Sequence, residues 1–520
     1  MPNPLKVASW SGALKPSLQT LNPQLNGQDK TKLLLRNAYE SLLARTADGG
    51  YVSWLAKDHK ISDDGKTYTF TLRDDVKFTD GEKFNAEAVV ANITALKDPA
   101  YSGSTSTGPV SRIAEAKALD ENTVSFTLKG IYAPFLDYIA SLEILSPAAF
   151  KSEEIKSGGP QIAGTGPFIL KRYAKGQELN FEKNPDYNWA PANASHQGPA
   201  YLDEVTYRFL GESSVRTGAL TSGQVDVIEG VSGNDAALSQ GQSSDFTYQT
   251  ALIPAHPYSL FLNVEWGANA GAECFRKALV AAIDVDARSQ VCLSRGTHPR
   301  MGASTSPIES GSSTIKASEG KYGANPELAN KLLDEAGWTE RNAEGFRTKD
   351  GQEPADHRKV IQAQATVRDQ RDVLLQALQA QARQSAGIDL KIVYVDAGTY
   401  TDRRKDRRNL VRLPIPTRQP TLSISSCITL PLDKGGYINY SRASAPELAQ
   451  WLNESASTLD QTKRFELYSK LQNFAILDQA YALPLYEPED QVAAASYVKG
   501  ISFRPFKQLP ESAYDIWRSE

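Results

Sequence analysis

Histidine and cysteine are scarce in this chain of 520 residues. Three cysteines are present without a Cys-x-x-Cys motif. The five histidines have neither helical nor short-loop spacing: His59, His196, His256, His298 and His357. Zinc sites need clustered ligands of these two types, so the sequence predicts no His/Cys metal site. No haem marker is found either, and we expect no cofactor.

An excess of charge of one sign is also missing. The chain has 57 Lys and Arg against 61 Asp and Glu, a formal net charge of −4. Nucleic-acid-binding proteins usually have a basic footprint, so the charge balance argues against this class for the chain as a whole. The longest purely apolar run that we find, Ala278–Ile283, is far shorter than the roughly 20 residues that a transmembrane helix needs.

The first residues, Met1–Lys6, contain neither an apolar signal core nor a cleavage site. Two interpretations stay open: a cytoplasmic protein, or a mature form with an added methionine. Cys274, Cys292 and Cys427 allow one disulfide and one free thiol, in three pairings that the sequence does not distinguish.

Catalytic motifs are absent as well. We find no phosphate-binding loop, no Gly-x-Gly-x-x-Gly and no Gly-x-Ser-x-Gly. Ser313–Lys316 matches Ser-x-x-Lys, but the companion motifs of penicillin-binding enzymes are missing. Paired carboxylates such as Asp63 and Asp64 lie at turns, where solvated surface is the simpler interpretation. We therefore expect a binding protein without catalytic residues, and not an enzyme.

What the sequence does contain is a mixture of helical and strand patterns, which predicts an α/β protein. Asp-Gly turns at residues 64–65 and 80–81 indicate hairpins. Asn85 is a candidate N-cap, with Phe84 and Val89 forming a hydrophobic staple. Further predicted elements are a strand ending at Trp10, strands 205–210 and 258–264, a helix 29–43, a helix opened by a capping box at Ser444, and a helix 461–478.

The basic run from Asp402 to Arg412, continuing to Arg418, has two interpretations. It is a solvated helix face, or Arg412 or Arg418 points into a pocket. In the second case a guanidinium would hold a carboxylate or phosphate through two parallel hydrogen bonds.

Two blocks with a specific pattern are Ser62–Arg73 (SDDGKTYTFTLR) and Val76–Val90 (VKFTDGEKFNAEAVV). With other segments in the same order, they make the chain resemble the bacterial extracellular solute-binding proteins of family 5, which serve ABC transporters for peptides, nickel or opines. The other segments are Leu35–Leu42, Gly164–Phe168, Lys183–Tyr187, Leu220–Asp226, Phe261–Asn263, Phe275–Leu279, Leu332–Trp338 and Leu483–Leu485.

The resemblance implies the two-lobed α/β fold of periplasmic binding proteins, of the class II-like large cluster, with an extra β-rich subdomain. Lobe I would comprise residues 1–50, the extra subdomain 51–164, residues 165–265 and the return segment 481–520. Lobe II would span residues 266–480. A ligand contacting both lobes would make closure depend on the ligand.

The resemblance also implies a function. The chain would capture a small organic ligand and deliver it to the membrane permease and ATPases of an ABC transporter. It would be a monomer in the periplasm, free or lipid-anchored, with its signal peptide removed. A periplasmic chaperone or a signalling receptor on the same fold is the less favoured alternative.

The ligand class depends on residues 413–421 (LPIPTRQPT). Peptide-binding members commonly have a Trp and an Asp-Pro pair in this region, and the aspartate pairs with the peptide's α-ammonium. Here Arg418 and Gln419 precede the proline, and a cation there would repel an α-ammonium. We therefore favour an anionic solute, an opine or a sugar-phosphate conjugate, with a peptide as the alternative. Bare nickel is disfavoured and a chelated metal stays open.

The predicted ligand-binding residues lie at strand ends, at a helix end and in loops. For Trp10 and Trp266 the alternative to ligand binding is core packing. For Tyr39 and Glu40 the alternative is a role in the helix terminus. The full set is Trp10, Ser11, Tyr39, Glu40, Ser102, Ser104, Asn263, Trp266, Arg418 and Gln419.

Overall fold

The chain divides into two compact units in the computed structural model. Unit 1 comprises residues 1–252, 456–459 and 490–520, and unit 2 comprises residues 253–455 and 460–489. The lobe boundaries expected from the sequence stay predictions. The structure describes residues 5–9, 20–25, 29–46, 50–99, 101, 107–231, 244–252, 258–264, 273–284, 323–350, 360–364, 371–395, 411–412, 441–486, 489–503 and 512–519.

The strands of this described part are, in chain order, β1 (Leu5–Ser9), β2 (Leu43–Arg45), β3 (Tyr51–Ser53), β4 (Ala56–Ile61), β5 (Thr67–Leu72), β6 (Ile113–Asp120), β7 (Thr123–Leu128), β8 (Phe168–Ala174), β9 (Glu178–Lys183), β10 (Glu204–Phe209), β11 (Val227–Glu229), β12 (Phe246–Leu252), β13 (Tyr258–Leu262), β14 (Glu340–Arg341), β15 (Arg347–Thr348), β16 (Val360–Gln364), β17 (Lys391–Val395), β18 (Val411–Arg412), β19 (Ala482–Tyr486), β20 (Glu489–Ala495), β21 (Val498–Lys499) and β22 (Trp517–Arg518).

The α-helices are α1 (Asp29–Leu35), α2 (Ala86–Lys97), α3 (Thr107–Val110), α4 (Phe135–Ser141), α5 (Ser213–Thr221), α6 (Glu273–Ala282), α7 (Pro326–Glu335), α8 (Arg371–Ala386), α9 (Pro446–Ser457) and α10 (Gln461–Gln472). Two 3₁₀ segments, Pro147–Lys151 and Glu153–Lys156, follow α4, and a π-helical segment, Asn473–Asp478, extends α10.

Sheet I of unit 1 has the strand order β12-β20-β11-β1-β10-β9-β8. β1 lies inside the sheet and runs parallel to β10 on one side and to β11 on the other. Alternate residues of β8, β9 and β10 are buried, as expected for strands with one face on a core. These buried side chains are Phe168, Leu170, Leu179, Phe181, Val205 and Tyr207.

The small sheet of unit 1 has the antiparallel order β4-β5-β7-β6. The Asp64-Gly65 turn joins β4 to β5, which confirms the first predicted hairpin. At the second turn a single antiparallel bridge between Lys77 and Lys83 replaces a hairpin. The predicted cap of α2 is confirmed, because the Asn85 side chain accepts a hydrogen bond from the Ala88 N–H at 2.9 Å.

Sheet II of unit 2 has the order β17-β16-β18-β13-β19. β16 is parallel to β17 and to β18, whereas β13 is antiparallel to β18 and to β19. Helices α6, α7 and α8 belong to one apolar core with this sheet, as their spacing of apolar residues predicts. Their buried side chains include Phe275, Leu279, Ala329, Leu333, Leu375 and Leu378.

The helix predicted over residues 29–43 is wrong beyond its first half. α1 ends at Leu35, Arg36–Ala38 form a turn, and Leu43 already belongs to β2. All of residues 33–44 are buried, so apolar residues occur at helical spacing without a helix. Periodicity does not separate a buried helix from a buried turn in so short a stretch.

Two other predicted helix limits are also corrected. The helix expected to be capped by Ser444 begins at Pro446, a favoured first helical residue, so Ala445 takes the cap position. The helix predicted over 461–478 is α-helical only to Gln472 and continues as a π-helix, whose wider hydrogen-bond spacing the apolar pattern does not reveal.

Gly164 gives a test of how tightly the turn before β8 packs against the turn that follows α1. A Cβ atom at Gly164 would lie 2.1 Å from the Ala38 carbonyl oxygen. We expect Gly164→Ala to lower the free energy of unfolding by about 1–3 kcal/mol, as overpacking does. Urea unfolding followed by circular dichroism measures this change.

Gly218 in α5 is the matched control, because a Cβ atom there meets nothing within 4 Å. Gly218→Ala should raise stability by about 0.5–1 kcal/mol through helix propensity. Equal stability of Gly164→Ala and the unchanged protein would contradict the tight packing.

Candidate functional site

The carboxyl ends of β1, β10 and β11 meet at one edge of sheet I, which we call the carboxyl edge. Ser9 pairs with Phe209 of β10, and Ala8 pairs with Ile228 of β11. The chain passes from β10 through α5 to β11 and so crosses β1. Open α/β sheets bind ligands outside the carboxyl ends of their strands where the strand order reverses. The carboxyl edge is therefore the candidate site of unit 1.

Trp10 and Ser11, two of the predicted ligand-binding residues, follow β1 directly at this edge. Both lie outside the described residues, and their contacts stay predictions. In the sequence they come immediately after a strand that is parallel to both neighbours. The general rule for α/β sheets favours such positions for ligand binding.

Glu40 is buried in unit 1 with four hydrogen-bond donors around its carboxylate. Oε1 accepts from Trp54 Nε1 at 3.1 Å and from the Tyr187 hydroxyl at 2.5 Å. Oε2 accepts from Thr165 Oγ1 at 2.9 Å and from Trp189 Nε1 at 3.0 Å. Each oxygen thus has two protein partners, and a buried carboxylate needs such partners to be tolerated.

Burial raises the pKa of Glu40 to about 8, and the hydrogen bonds from Tyr187, Thr165, Trp189 and Trp54 oppose this rise. Burial disfavours the charged form because the protein interior solvates a charge less well than water does. The carboxyl group therefore changes its protonation state near pH 8, inside a closed set of donors.

The Glu40 cluster, which we define as Glu40 with Trp54, Thr165, Tyr187 and Trp189, joins four segments that are distant in the sequence. Trp189 Nε1 also donates to the carbonyl of Thr165 at 2.8 Å, so the turn before β8 is held twice. The cluster gives Glu40 a complete set of protein partners. Its predicted role as a ligand contact stays a prediction.

Tyr39 is fully buried, and its hydroxyl donates to the carbonyl oxygen of Ile162 at 3.0 Å. Burial raises the pKa of Tyr39 well above its ordinary value. Tyr39 and Glu40 are thus brought together with the turn before β8. Tyr39 also stays a predicted ligand residue.

Asn263 is buried in unit 2, directly after β13. Phe261 pairs with Arg412 in antiparallel register, so β13 and β18 run in opposite directions. β18 runs toward the carboxyl ends of β16 and β17, and the predicted ligand segment 413–421 begins directly after it. Asn263 and that segment therefore follow strands that point to opposite edges of sheet II.

The remaining predicted ligand residues lie outside the described part of the chain: Ser102, Ser104, Trp266, Arg418 and Gln419. Cys292 and Cys427 lie outside it too, whereas Cys274 at the start of α6 is exposed and is not in a disulfide.

Within the described ranges, no group of three or more His, Cys, Asp or Glu side chains is placed to hold a metal ion. The helices of the same ranges include none with the length and apolar character that a membrane crossing requires.

Several site residues were missed by sequence reasoning. No motif in the sequence singles out Trp54, Trp189 or Arg216. Thr165 and Tyr187 lie in two of the family segments, Gly164–Phe168 and Lys183–Tyr187, and this is the signal that pointed to them. Nothing local to the other residues indicates which distant group they bind.

Comparison with known proteins identifies the class. The model of the bacterial extracellular solute-binding proteins, family 5, matches residues 50–410. The chain therefore belongs to this family, and the prediction made from its motifs is confirmed. It is a solute-binding component of an ABC import system.

The nickel-binding periplasmic protein of Escherichia coli is 28% identical over 506 residues, which cover 95% of this chain and 90% of that protein. The probable D,D-dipeptide-binding periplasmic protein DdpA of the same species is 32% identical over 41% of each chain. Among solved structures, the binding protein AgaA of A. tumefaciens R10 in complex with agropinic acid has a TM-score of 0.80 and 22% identity, covering 100% of this chain and 99% of that one.

Such structural similarity establishes the fold, and the predicted two-lobed periplasmic-binding-protein fold is confirmed. The two relatives from Escherichia coli are named as periplasmic binding proteins, one for nickel and the other, as a probable function, for D,D-dipeptides.

Glu40 leads to a prediction about pH. Its pKa rises from an ordinary value of 4.5 to about 8 on folding, so its contribution to stability is complete below pH 4.5 and is lost as the pH rises through 8. Each tenfold change in proton affinity is worth about 1.4 kcal/mol. We expect a loss of several kcal/mol of unfolding free energy between pH 5 and pH 8.5 that Glu40→Gln abolishes, measured by urea unfolding.

Glu121→Gln serves as the control, since Glu121 forms an exposed ion pair with Lys83 at 2.6 Å. That variant should keep the pH dependence of the unchanged protein, because exposed pairs contribute about 0–1 kcal/mol. If Glu40→Gln and the unchanged protein lose the same stability with rising pH, Glu40 does not titrate in this range.

Proposed function

We propose that the chain captures a polar anionic organic solute, an opine or a sugar-phosphate conjugate, and delivers it to a membrane permease. The proposal depends on one observation, the position at which each predicted ligand segment leaves its sheet in the sequence. Residues 10–11 follow β1, and residues 413–421 follow β18, and each strand runs toward the carboxyl ends of parallel neighbours. These are the ends where α/β sheets bind ligands.

The charge of the second segment supports an anion. Arg418 is the only ionisable residue of the stretch 413–421, which has no aspartate or glutamate. A guanidinium binds a carboxylate or phosphate through two parallel hydrogen bonds. It repels an ammonium group, and this repulsion is strong where water is excluded.

Solved structures of the same fold support an organic acid as one possible ligand class and a dipeptide as another. AgaA was solved with agropinic acid, a carboxylic acid, and a dipeptide-binding protein of Pseudoalteromonas sp. with Met-Leu. The chain has TM-scores of 0.80 to both. Since one fold accommodates both ligands, the side chains after the strand ends determine the ligand class.

A peptide is the second candidate. Relatives named as D,D-dipeptide-binding and glutathione-binding proteins are 32% and 30% identical over 41% and 44% of this chain. The absence of an acidic residue in 413–421 is the observation against it, because a peptide's α-ammonium would have no partner in that segment.

The proposal includes the other properties of such a binding protein. The chain would carry out no chemistry, would act as a monomer and would work in the periplasm, free or lipid-anchored. The transport function of its relatives supports the absence of catalysis.

A thermal-shift experiment with agropinic acid and with the dipeptide Met-Leu tests the ligand class. Agropinic acid at about one hundred times its dissociation constant should stabilise the protein by about 2.7 kcal/mol, which raises the melting temperature by several degrees. Arg418→Ala should abolish the shift, because it removes the bidentate partner of the carboxylate.

The control is Arg404→Ala, which removes one positive charge from the basic run and leaves segment 413–421 intact. It should keep the shift. A shift with Met-Leu alone would contradict the anionic ligand class and favour the peptide alternative. A shift with agropinic acid that Arg418→Ala retains would contradict the proposed role of Arg418.

A further inference from the structure

Arg216 is a buried arginine of α5 whose side chain is directed at backbone carbonyls. Only 2% of the residue is exposed. Nε donates to the Glu229 carbonyl at 2.9 Å, and Nη2 donates to the Gly230 carbonyl at 2.6 Å. Nη1 donates to the carbonyls of Leu210 and Gly211, at 3.0 Å each. One guanidinium thus holds four carbonyl oxygens.

These carbonyls belong to two places that flank β1. Leu210 and Gly211 follow β10, whereas Glu229 ends β11 and Gly230 follows it. In sheet I, β1 lies between β11 and β10. The guanidinium therefore bridges the two strands on either side of the point where β1 ends.

Arginine fits this task because its guanidinium is a flat fork of five N–H donors without an acceptor. Carbonyl groups just past the end of a strand lose their ladder partners, and buried carbonyls need others. A lysine ammonium is a compact point charge with three donors on one nitrogen, so it does not reproduce bonds that leave the fork in separate directions.

We propose that Arg216 is a positioning residue for ligand binding at the carboxyl edge of sheet I. It fixes the backbone on both sides of the carboxyl end of β1, the strand that the predicted ligand residues Trp10 and Ser11 follow in the sequence. The role in binding rests on the proposed function, whereas the clamp itself rests on the hydrogen bonds of the guanidinium.

Hydrogen–deuterium exchange of the ligand-free full chain tests the clamp. Arg216→Lys should raise exchange roughly tenfold or more in peptides covering residues 5–9 and 227–231, since lost hydrogen bonds from a charged donor change opening equilibria by about that factor. Exchange in the small sheet, residues 67–72 and 123–128, should stay unchanged. Unchanged exchange at residues 5–9 and 227–231 would overturn the clamp.

Calorimetric titration with agropinic acid tests the role in binding. Arg216→Lys should weaken the affinity about tenfold or more. The matched control is Arg347→Lys in unit 2, a buried arginine whose guanidinium binds Asn330 Oδ1 at 2.7 Å. This control should lower the melting temperature by a similar amount and keep the affinity.

The outcomes separate the two proposals. Raised exchange with unchanged affinity would make Arg216 a structural residue and overturn its positioning role. If the unchanged protein binds Met-Leu and not agropinic acid, the anionic ligand class fails, and the same titration with Met-Leu decides the positioning role. If it binds neither, the proposed ligand classes and the positioning role both fail, and the exchange data alone decide the clamp.

Discussion

β1 forms backbone hydrogen bonds on both sides with strands that lie some two hundred residues further along the chain: Leu5 pairs with Val205, and Val7 also pairs with Val227. The next strand of the sheet comes from still further away, because β11 pairs on its other side with β20 near the end of the chain. Such non-local pairing is costly in loop entropy and is stable only when all partners are present. Sheet I is therefore complete only once the C-terminal segment has folded onto it.

Buried polar groups hold the regions around this sheet in place. Glu40 and Arg216 each occupy an interior position that would be unfavourable for an isolated charge, and each has four partners. Glu40 accepts from side chains, whereas Arg216 donates to backbone carbonyls. The two residues therefore connect different parts of the structure. Glu40 joins turns of the core, and Arg216 holds the ends of strands.

Local signals in the sequence were sufficient for the hairpin of β4 and β5 and for the cap of α2. The Asp-Gly turn and the alternating strands act over a few residues, and the Asn85 cap depends on its own helix. The end of α1 at Leu35 and the partners of Glu40 were not predictable, because residues 54, 165, 187 and 189 meet only through tertiary packing. The solute-binding family was predictable from motifs, whereas Arg216 has no motif that identifies a clamp.

The fold and the ligand are predictable to different degrees because they depend on different numbers of residues. Strand pairing, the buried cores and the Glu40 cluster restrict many positions at once, so the fold persists in relatives of 22% identity at a TM-score of 0.80. In the proposed site the ligand class depends on few side chains that follow strand ends, and changes there leave the sheets intact. A backbone clamp such as Arg216 reconciles both demands, because it keeps the strand ends fixed while the residues beyond them vary. Ligand specificity then changes without rebuilding the sheet that presents it.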